Sequence, residues 1–280
     1  MPLTSPRFKN ERELIAVDGG GAVLRRGATG RHVHLVQMAL IDLGFAMPIS
    51  TLSRDYSPDG VYGVETKSVV KAFQRSVPPP GLKPDGVVGP LTLRELDKRH
   101  SRFTHRFNLH FRGLALTDVP FDQLMSNTEQ AYAQYGIEAR FASGQSLGLS
   151  PDQEARFTVV RQNCEWVMDR GEFAELHKLG TPVPSTDIAV FIVNEFQEHG
   201  NDGCAGHAAG LPACAVTHNC MQWTVAHEVG HVLLTSSFAP VHTQSPRNLM
   251  FAGNWAAPGP PTLTERQLAK IRSSPLCRGI

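Results

Sequence analysis

The sequence has no apolar run of membrane-spanning length and no strong excess of either charge. It contains 27 Lys and Arg against 26 Asp and Glu, for a formal net charge of +1. A nucleic-acid-binding surface normally carries a basic excess, so this balance argues against nucleic acid as the main partner. The lack of a long apolar run argues against a membrane span. The first seven residues lack the apolar core of a secretory signal. Three alternatives stay open: the protein remains in the cytoplasm, it is exported by another route, or a leader has been removed. A cell-envelope or extracellular location is the expectation.

Cysteine is also scarce and unevenly placed. None of the five cysteines forms a Cys-x-x-Cys pair, so a thiolate zinc site is not predicted. Three of them crowd together shortly before residue 224, where one or two disulfides would fit an oxidising compartment. Free, buried thiols are the alternative. The odd count leaves at least one thiol unpaired within a single chain. The five are Cys164, Cys204, Cys214, Cys220 and Cys277.

Length and composition favour a globular protein of two domains. The chain has 280 residues, of which 41% are hydrophobic and 19% charged. Residues 1–22 are polar and end in a glycine run at 19–21, which predicts a loose N-terminal arm. Residues 98–105 are charged and are predicted to be a linker.

The segment between the arm and the linker contains an internal repeat. Asp59-Gly60-Val61-Tyr62-Gly63 and Asp85-Gly86-Val87-Val88-Gly89 are two copies of one turn, and each opens a predicted helix. An earlier helix is predicted after Gly30 from apolar residues at three- and four-residue spacing. These features predict a small module of three helices.

Together with Leu24-x-x-Gly27-x-x-Gly30 and Ala72-Phe73-Gln74, the two turns resemble the peptidoglycan-binding-like domain, a small three-helix module. The resemblance places this domain at residues 23–100 and implies bacterial peptidoglycan as a partner. A module that has kept the scaffold and lost the ligand is the alternative, because a fold does not determine a function. The wall-binding residues stay unknown.

The second half of the chain alternates between strand and helix patterns. Strands are predicted at 107–111 and 137–141, and a helix at 120–134. The apolar run 187–193 predicts a central buried strand. Residues 201–212, rich in Gly and Ala, are predicted to be a loop, and the short segment 214–217 an edge strand. Residues 149–181 are ambiguous between helix and strand.

The segment from Thr224 carries the residues with the clearest chemistry. His227 and His231 are four apart, so on a helix both imidazoles can reach one metal ion. Glu228 follows the first histidine, where it can take a proton from a metal-bound water without binding the metal itself. Three ligands around Zn²⁺ leave a fourth position for that water and lower its pKa to about 7. Two histidines present by chance on a buried helix are the alternative.

Flanking residues predict the extent of this helix. Asn219 is a candidate N-cap, with Gln222 three residues later as in a capping box. An apolar face that is predicted to anchor the helix in the core is formed by Val225, Val229 and Val232. Pro240 is predicted to end the helix.

His-Glu-Val-Gly-His, a later histidine and Asn248-Leu249-Met250 resemble the metzincin zinc peptidases. The resemblance implies His242 as third zinc ligand and Met250 in a methionine-containing turn beneath the metal. The chain departs from the family pattern in two places, with Leu234 at the turn glycine and Ser237 at the usual third histidine. Glu265, on a predicted C-terminal helix, is the alternative third ligand. No cysteine precedes residue 164, so inhibition of the zinc by a pro-segment cysteine is not available.

The predicted fold class is α+β and multidomain, with a small three-helix module followed by a metzincin-like mixed-sheet domain at residues 106–280. The predicted function is a zinc metallopeptidase directed to the bacterial cell wall, acting on wall peptides or on proteins near the wall. A catalytically inactive peptidoglycan-binding protein and a zinc hydrolase for a non-peptide amide bond are the alternatives. The carboxylate of Glu228 favours an active enzyme, since an inactive domain has no chemical need for it.

Overall fold

The computed structural model of the chain describes residues 2–51, 58–114, 119–161, 171–197, 202–206, 211–255 and 259–280. The chain divides into two compact units. The first contains Met1–Thr104, Ala133–Ile137 and Thr264–Leu268, and the second contains His105–Tyr132, Glu138–Leu263 and Ala269–Ile280. The finer division into residues 1–22, 23–100 and 106–280 stays a prediction.

The first unit is built from short helices. They are α1 (Arg12–Asp18), α2 (Arg31–Asp42), α3 (Pro48–Thr51), α4 (Val64–Arg75) and α5 (Pro90–Arg99). The helices predicted from apolar spacing are α2, α4 and α5, and each turns one apolar face into a common core. Their buried residues include Val33, Val36, Leu40, Val70, Phe73, Leu93 and Leu96.

Residues 2–22, expected to be a loose arm, pack into that same core and contain α1. The buried apolar residues of this segment are Leu3, Phe8, Leu14 and Val17. The carboxylate of Asp97 accepts hydrogen bonds from the backbone N–H groups of Thr4 and Ser5, at 3.0 and 2.8 Å. The few apolar residues are spread over a polar segment, so its composition did not predict that the segment packs into the core. The contacts with α5 and its neighbours show that it does.

Each copy of the repeated turn is held by a glutamine from a preceding helix, α2 for the first copy and α4 for the second. Gln37 Nε2 donates to Asp59 Oδ1 at 3.0 Å, and Gln37 Oε1 accepts from the backbone N–H of Gly60 at 2.9 Å. Gln74 makes the equivalent pair of bonds in the second copy, at 3.1 and 2.9 Å. Gly60 has a φ of 69°, in the left-handed region that favours glycine. The turn therefore needs both its glycine and a buried amide.

The remaining elements form a mixed sheet with helices. They are β1 (His105–Gly113), α6 (Phe121–Ala133), β2 (Ile137–Ser146), α7 (Pro151–Phe157), β3 (Val159–Val160), α8 (Gly171–His177), β4 (Ile188–Val193), β5 (Glu195–Phe196), β6 (Gly203–Gly206), β7 (Ala213–Thr217), α9 (Thr224–Leu234), α10 (Glu265–Arg272) and β8 (Arg278–Gly279). The strand order of the main sheet is β2-β1-β4-β7-β6, with β8 paired to β1.

The centre of the main sheet is parallel. β4 pairs in parallel with β1 on one side and with β7 on the other. All six residues of β4 are buried, which confirms the central strand predicted from its apolar run. Helix α9 packs against β6 and β7. The fold class is therefore α+β with a small helical module and a mixed-sheet unit, as predicted.

The edge of the sheet corrects one prediction. β7 was expected at the edge and residues 201–212 in a loop, yet β6 pairs antiparallel with β7 and takes the edge position. Gly and Ala have low β propensity, so the composition of β6 indicated a loop. Pairing with β7 and packing against α9 override that propensity.

The cysteines in the described ranges include both disulfide-bonded and free residues. Cys204 on β6 is disulfide-bonded, whereas Cys214, Cys220 and Cys277 are free. Cys164 lies outside the described residues. Among the helices of the described ranges, none is long and apolar enough to cross a membrane.

Candidate metal centre

Helix α9 carries three of the predicted site residues. Every residue from Thr224 to Leu234 is buried, because α9 packs against the sheet. His227 and His231 share one face of the helix, and their rings meet edge to face with centroids 4.5 Å apart. The valines predicted to anchor the helix are buried, and the polar residues on its other sides are buried as well.

The start of α9 differs from the prediction. The residue before the helix is Trp223, and no side chain caps the helix there. The capping box predicted for Asn219 and Gln222 is therefore wrong. Burial of all of α9 stabilises the helix through tertiary packing, so a local cap is not required.

The end of α9 also differs. The helix stops at Leu234, before Pro240, because Thr235 adopts φ 67° and ψ 164°. This region is nearly restricted to glycine, because a Cβ atom crowds the backbone there, and it costs about 1–3 kcal/mol. The metzincin resemblance places a turn glycine at position 234. The turn is made one residue later, by a strained threonine.

We expect Thr235→Gly to stabilise the protein. Glycine relieves the strain but costs about 0.5–1 kcal/mol of chain entropy, and the variant loses the 2.8 Å contact between the Thr235 and Ser237 hydroxyls. The net gain should be about 1 kcal/mol, measured as a higher Tm by circular dichroism. Thr158→Gly is the control, since Thr158 ends α7 at an ordinary φ of −56° and should lose stability. Equal destabilisation by both changes would contradict strain at Thr235.

The Nε2 atoms of three histidines converge at this end of α9. His231 Nε2 lies 2.9 Å from His227 Nε2 and 3.0 Å from His242 Nε2. His242 reaches the site from the loop after α9, where Thr243 N–H donates to the carbonyl of Met250 at 2.9 Å. In a tetrahedral site with Zn–N of about 2.0–2.1 Å, two ligand nitrogens lie roughly 3.3 Å apart. The observed separations are close to that value.

The protonation of the rings favours a cation between them. His227 Nδ1 lies 2.7 Å from the carbonyl oxygen of Leu249. A carbonyl only accepts, so Nδ1 carries the hydrogen and Nε2 presents its lone pair. Burial lowers the pKa of His227 to about 4, so this ring is neutral at pH 7. Without a cation, a single hydrogen on His231 Nε2 would have to bond to both His227 Nε2 and His242 Nε2. One cation would instead bind the Nε2 lone pairs of all three histidines. Imidazole is a suitable ligand for Zn²⁺ and for several other transition-metal ions.

The segment Asn248-Leu249-Met250 contacts His227 and the backbone of α9. Its middle carbonyl orients His227, and Asn248 Oδ1 accepts a hydrogen bond from Met250 N–H at 2.8 Å, which tightens the turn. A Cβ atom on Gly230 would lie 2.6 Å from Met250 Sδ. Met250, fully buried, therefore packs directly on the backbone of α9 at a position where only glycine fits.

Glu228 occupies a buried position next to the first histidine. Its side chain is 7% exposed. Burial raises the pKa of the carboxyl to about 8. A cation beside it would favour the carboxylate form. A raised pKa and a position one residue from His227 are the properties expected of a general base.

Trp255 belongs to the site but was not found from the sequence. Its Nε1–H donates to the carbonyls of Asn248 and Leu249, at 3.1 and 3.3 Å. Its ring centroid lies 5.6 Å from that of His227. The indole therefore shares with His227 the carbonyl that orients the imidazole. No periodic spacing relates Trp255 to the histidines, so no sequence signal identified it.

Other candidate ligands are not part of this group. Glu265 is the first residue of α10, whose start is capped by Thr264 Oγ1 accepting from Gln267 N–H at 3.2 Å. Among the described residues, the donor atoms that lie within 4.8 Å of one another at this site come from the three histidines alone. His218 is not among them, and His207 lies outside the described residues.

Comparison with known proteins gives a family match for part of the N-terminal module. Residues 29–96 match the family PG_binding_1, a peptidoglycan binding domain, which confirms the resemblance of this part of the chain. The N-acetylmuramoyl-L-alanine amidase CwlL of Bacillus licheniformis is 38% identical over 76 residues, which are 27% of this chain and 19% of that protein. The chain thus spans about a fifth of the length of the curated relatives that it matches first.

Two solved structures show a distant likeness that covers more of the chain. One is metalloproteinase-II from Bacteroides fragilis, with 11% identity, a TM-score of 0.38, and coverage of 61% of this chain and 53% of that one. The other is the archaemetzincin AmzA from Archaeoglobus fulgidus in complex with malonate. It has 12% identity, a TM-score of 0.35, and coverage of 58% of this chain and 99% of that one.

Proposed function

We propose that the chain is a zinc-dependent peptidase in which His227, His231 and His242 hold Zn²⁺ and Glu228 is the general base. The observation that carries this proposal is the convergence of three imidazole Nε2 atoms, two of them from the helix on which Glu228 is also buried. Zn²⁺ held by three protein ligands keeps a fourth position for water and lowers the pKa of that water to about 7. Met250 supports the site from below.

Glu228 and the backbone carbonyl of Leu249 have different roles in the proposed peptide hydrolysis. Glu228 accepts a proton from the attacking water and passes it to the leaving amine. Its buried surroundings make the carboxylate a stronger base than an exposed glutamate. Leu249, through its carbonyl, holds His227 in the tautomer whose Nε2 lone pair faces inward.

The edge of the sheet favours an extended peptide as substrate. β6 pairs with β7 on one side only in the described part of the sheet. An edge strand can pair with an extended chain through backbone hydrogen bonds. Gly203 of β6 also lies against the side chain of Glu228. A peptide aligned along β6 would therefore run close to the general base.

On this proposal, residues 23–100 bind peptidoglycan and residues 106–280 form the catalytic domain. The family match at residues 29–96 supports the first part. The similarity to CwlL covers 76 residues, or 19% of that protein, and therefore does not indicate which bond this chain cleaves. Wall stem peptides and proteins held near the wall are the candidate substrates.

The test is incubation of the full chain with purified sacculi and, separately, with an unfolded protein, each with and without a zinc chelator. We expect the protein to sediment with sacculi in both conditions and to release peptide products only without chelator. Mass spectrometry then identifies the bond that is cleaved. Wall binding without any product would support an inactive binding protein. Cleavage of the amide between muramic acid and alanine, which frees peptides with an N-terminal alanine, would support an amidase. Failure to sediment would remove the wall from the proposal.

A further inference from the structure

The side chain of Glu228 lies against the backbone of Gly203 on β6. A Cβ atom on Gly203 would lie 2.5 Å from Glu228 Oε1, 2.7 Å from Cγ and 2.8 Å from Cδ. Real Cβ atoms essentially never approach another atom within 3.0 Å. The carboxylate therefore occupies the volume that the smallest side chain at position 203 would fill.

The glycine is not required by its backbone conformation. Gly203 is absent from the described glycines with positive φ, and it pairs with Val216 in regular antiparallel register. Any L-residue can adopt such an extended conformation. The requirement for glycine at this position is therefore steric.

Neither backbone can readily withdraw to make room. β6 is bonded to β7 through four residue pairs, and the next residue, Cys204, is buried and disulfide-bonded. On the other side, Glu228 stands on a helix whose every residue is buried. A side chain at position 203 would thus displace the end of Glu228, which is the most mobile of the contacting groups.

We propose that Gly203 is a positioning residue, which sets the place of the Glu228 carboxylate by leaving it space at the edge of the sheet. This inference rests on the proposed function, in which Glu228 moves the proton. A general base has to lie within about 2.6–3.2 Å of the atom that carries the proton it takes. A misplacement of about 1 Å can lower the rate about 100-fold.

The first test is Gly203→Ala in the full chain. We expect kcat for a peptide substrate to fall roughly 10- to 100-fold, while KM and the affinity for zinc stay within about twofold, because no ligand or substrate contact is removed. Gly113→Ala is the control. Gly113 ends β1 without a positive φ, and a Cβ atom there would meet nothing within 4 Å. This control should keep wild-type kinetics.

A double-mutant cycle separates positioning from general damage. Glu228→Asp shortens the side chain by one methylene and leaves room for a methyl group at position 203. We expect Gly203→Ala to lower kcat in the Glu228 background and to have almost no further effect in the Glu228→Asp background. If Gly203→Ala fails to fold, restored folding of the double variant supports the same contact.

Several results would overturn the inference. They are an equal loss of kcat in both backgrounds, full activity of Gly203→Ala, weaker zinc binding by Gly203→Ala, or failure of both variants to fold. These outcomes differ from failure of the proposed function, in which the wild-type chain itself binds no zinc or hydrolyses no peptide.

Discussion

Glu228→Gln should abolish nearly all hydrolysis and leave zinc binding intact. The amide keeps the size of the side chain but cannot accept a proton from the attacking water. General acid–base catalysis contributes about 10²–10⁴-fold, so we expect kcat to fall by that factor. Zinc affinity should change little, because the lone pairs that converge belong to the three histidines. Rates are measured on the peptide products identified from sacculi or unfolded protein, and affinity by competition with a chromophoric chelator.

Glu195→Gln provides a matched control. Glu195 is exposed on β5, so the same chemical change there should leave both rate and affinity unaltered. Comparable turnover in the wild type and Glu228→Gln would remove Glu228 from the role of general base. Loss of zinc together with activity would instead indicate that the carboxylate supports the metal site.

His242→Ala should weaken zinc binding more than any other single change outside α9. Removing a ligand should cost more than the 10- to 100-fold loss typical of changes to groups that only support ligands, so we expect a decrease of more than about 100-fold. The physical reason is the position of its Nε2, 3.0 Å from that of His231. A competitive chelator titration on the folded variant measures the effect.

Glu265→Ala and His218→Ala complete this experiment. Glu265 is the alternative ligand predicted from the sequence, and His218 is a histidine outside the group of converging donors. Both substitutions should change zinc affinity little. A large loss in Glu265→Ala with no loss in His242→Ala would contradict the metzincin resemblance on which the choice of His242 was based.

Much of the candidate site could be predicted from sequence because His227, Glu228 and His231 lie within one short helical segment. Four-residue spacing brings His227 and His231 to one face of any α-helix, and Glu228 follows from its place beside them. The repeated Asp-Gly-x-x-Gly turn is local as well, and its helices α4 and α5 lie where the pattern predicts. β4 was predictable because a strand with neighbours on both sides is apolar throughout.

The errors fall where contacts between distant residues decide the structure. Asn219 and Gln222 have cap chemistry, yet α9 is stabilised by burial and starts without them. β6 was predicted as a loop because its small residues carry little strand propensity. The N-terminal segment is polar in composition, yet its few apolar residues pack into a core shared with α2, α4 and α5.

The sequence by itself determined the local chemistry of this protein: the histidine pair, the glutamate between them, the repeated turns and the central strand. These depend on helical and strand periods, which are properties of neighbouring residues. Only the tertiary structure decided that Thr235 turns the chain, that His242 returns to the pair, and that Leu249, Trp255 and Gly203 set the positions of His227 and Glu228. Those arrangements come from close packing between different segments of the chain. The spacing of residues along the sequence does not predict that packing.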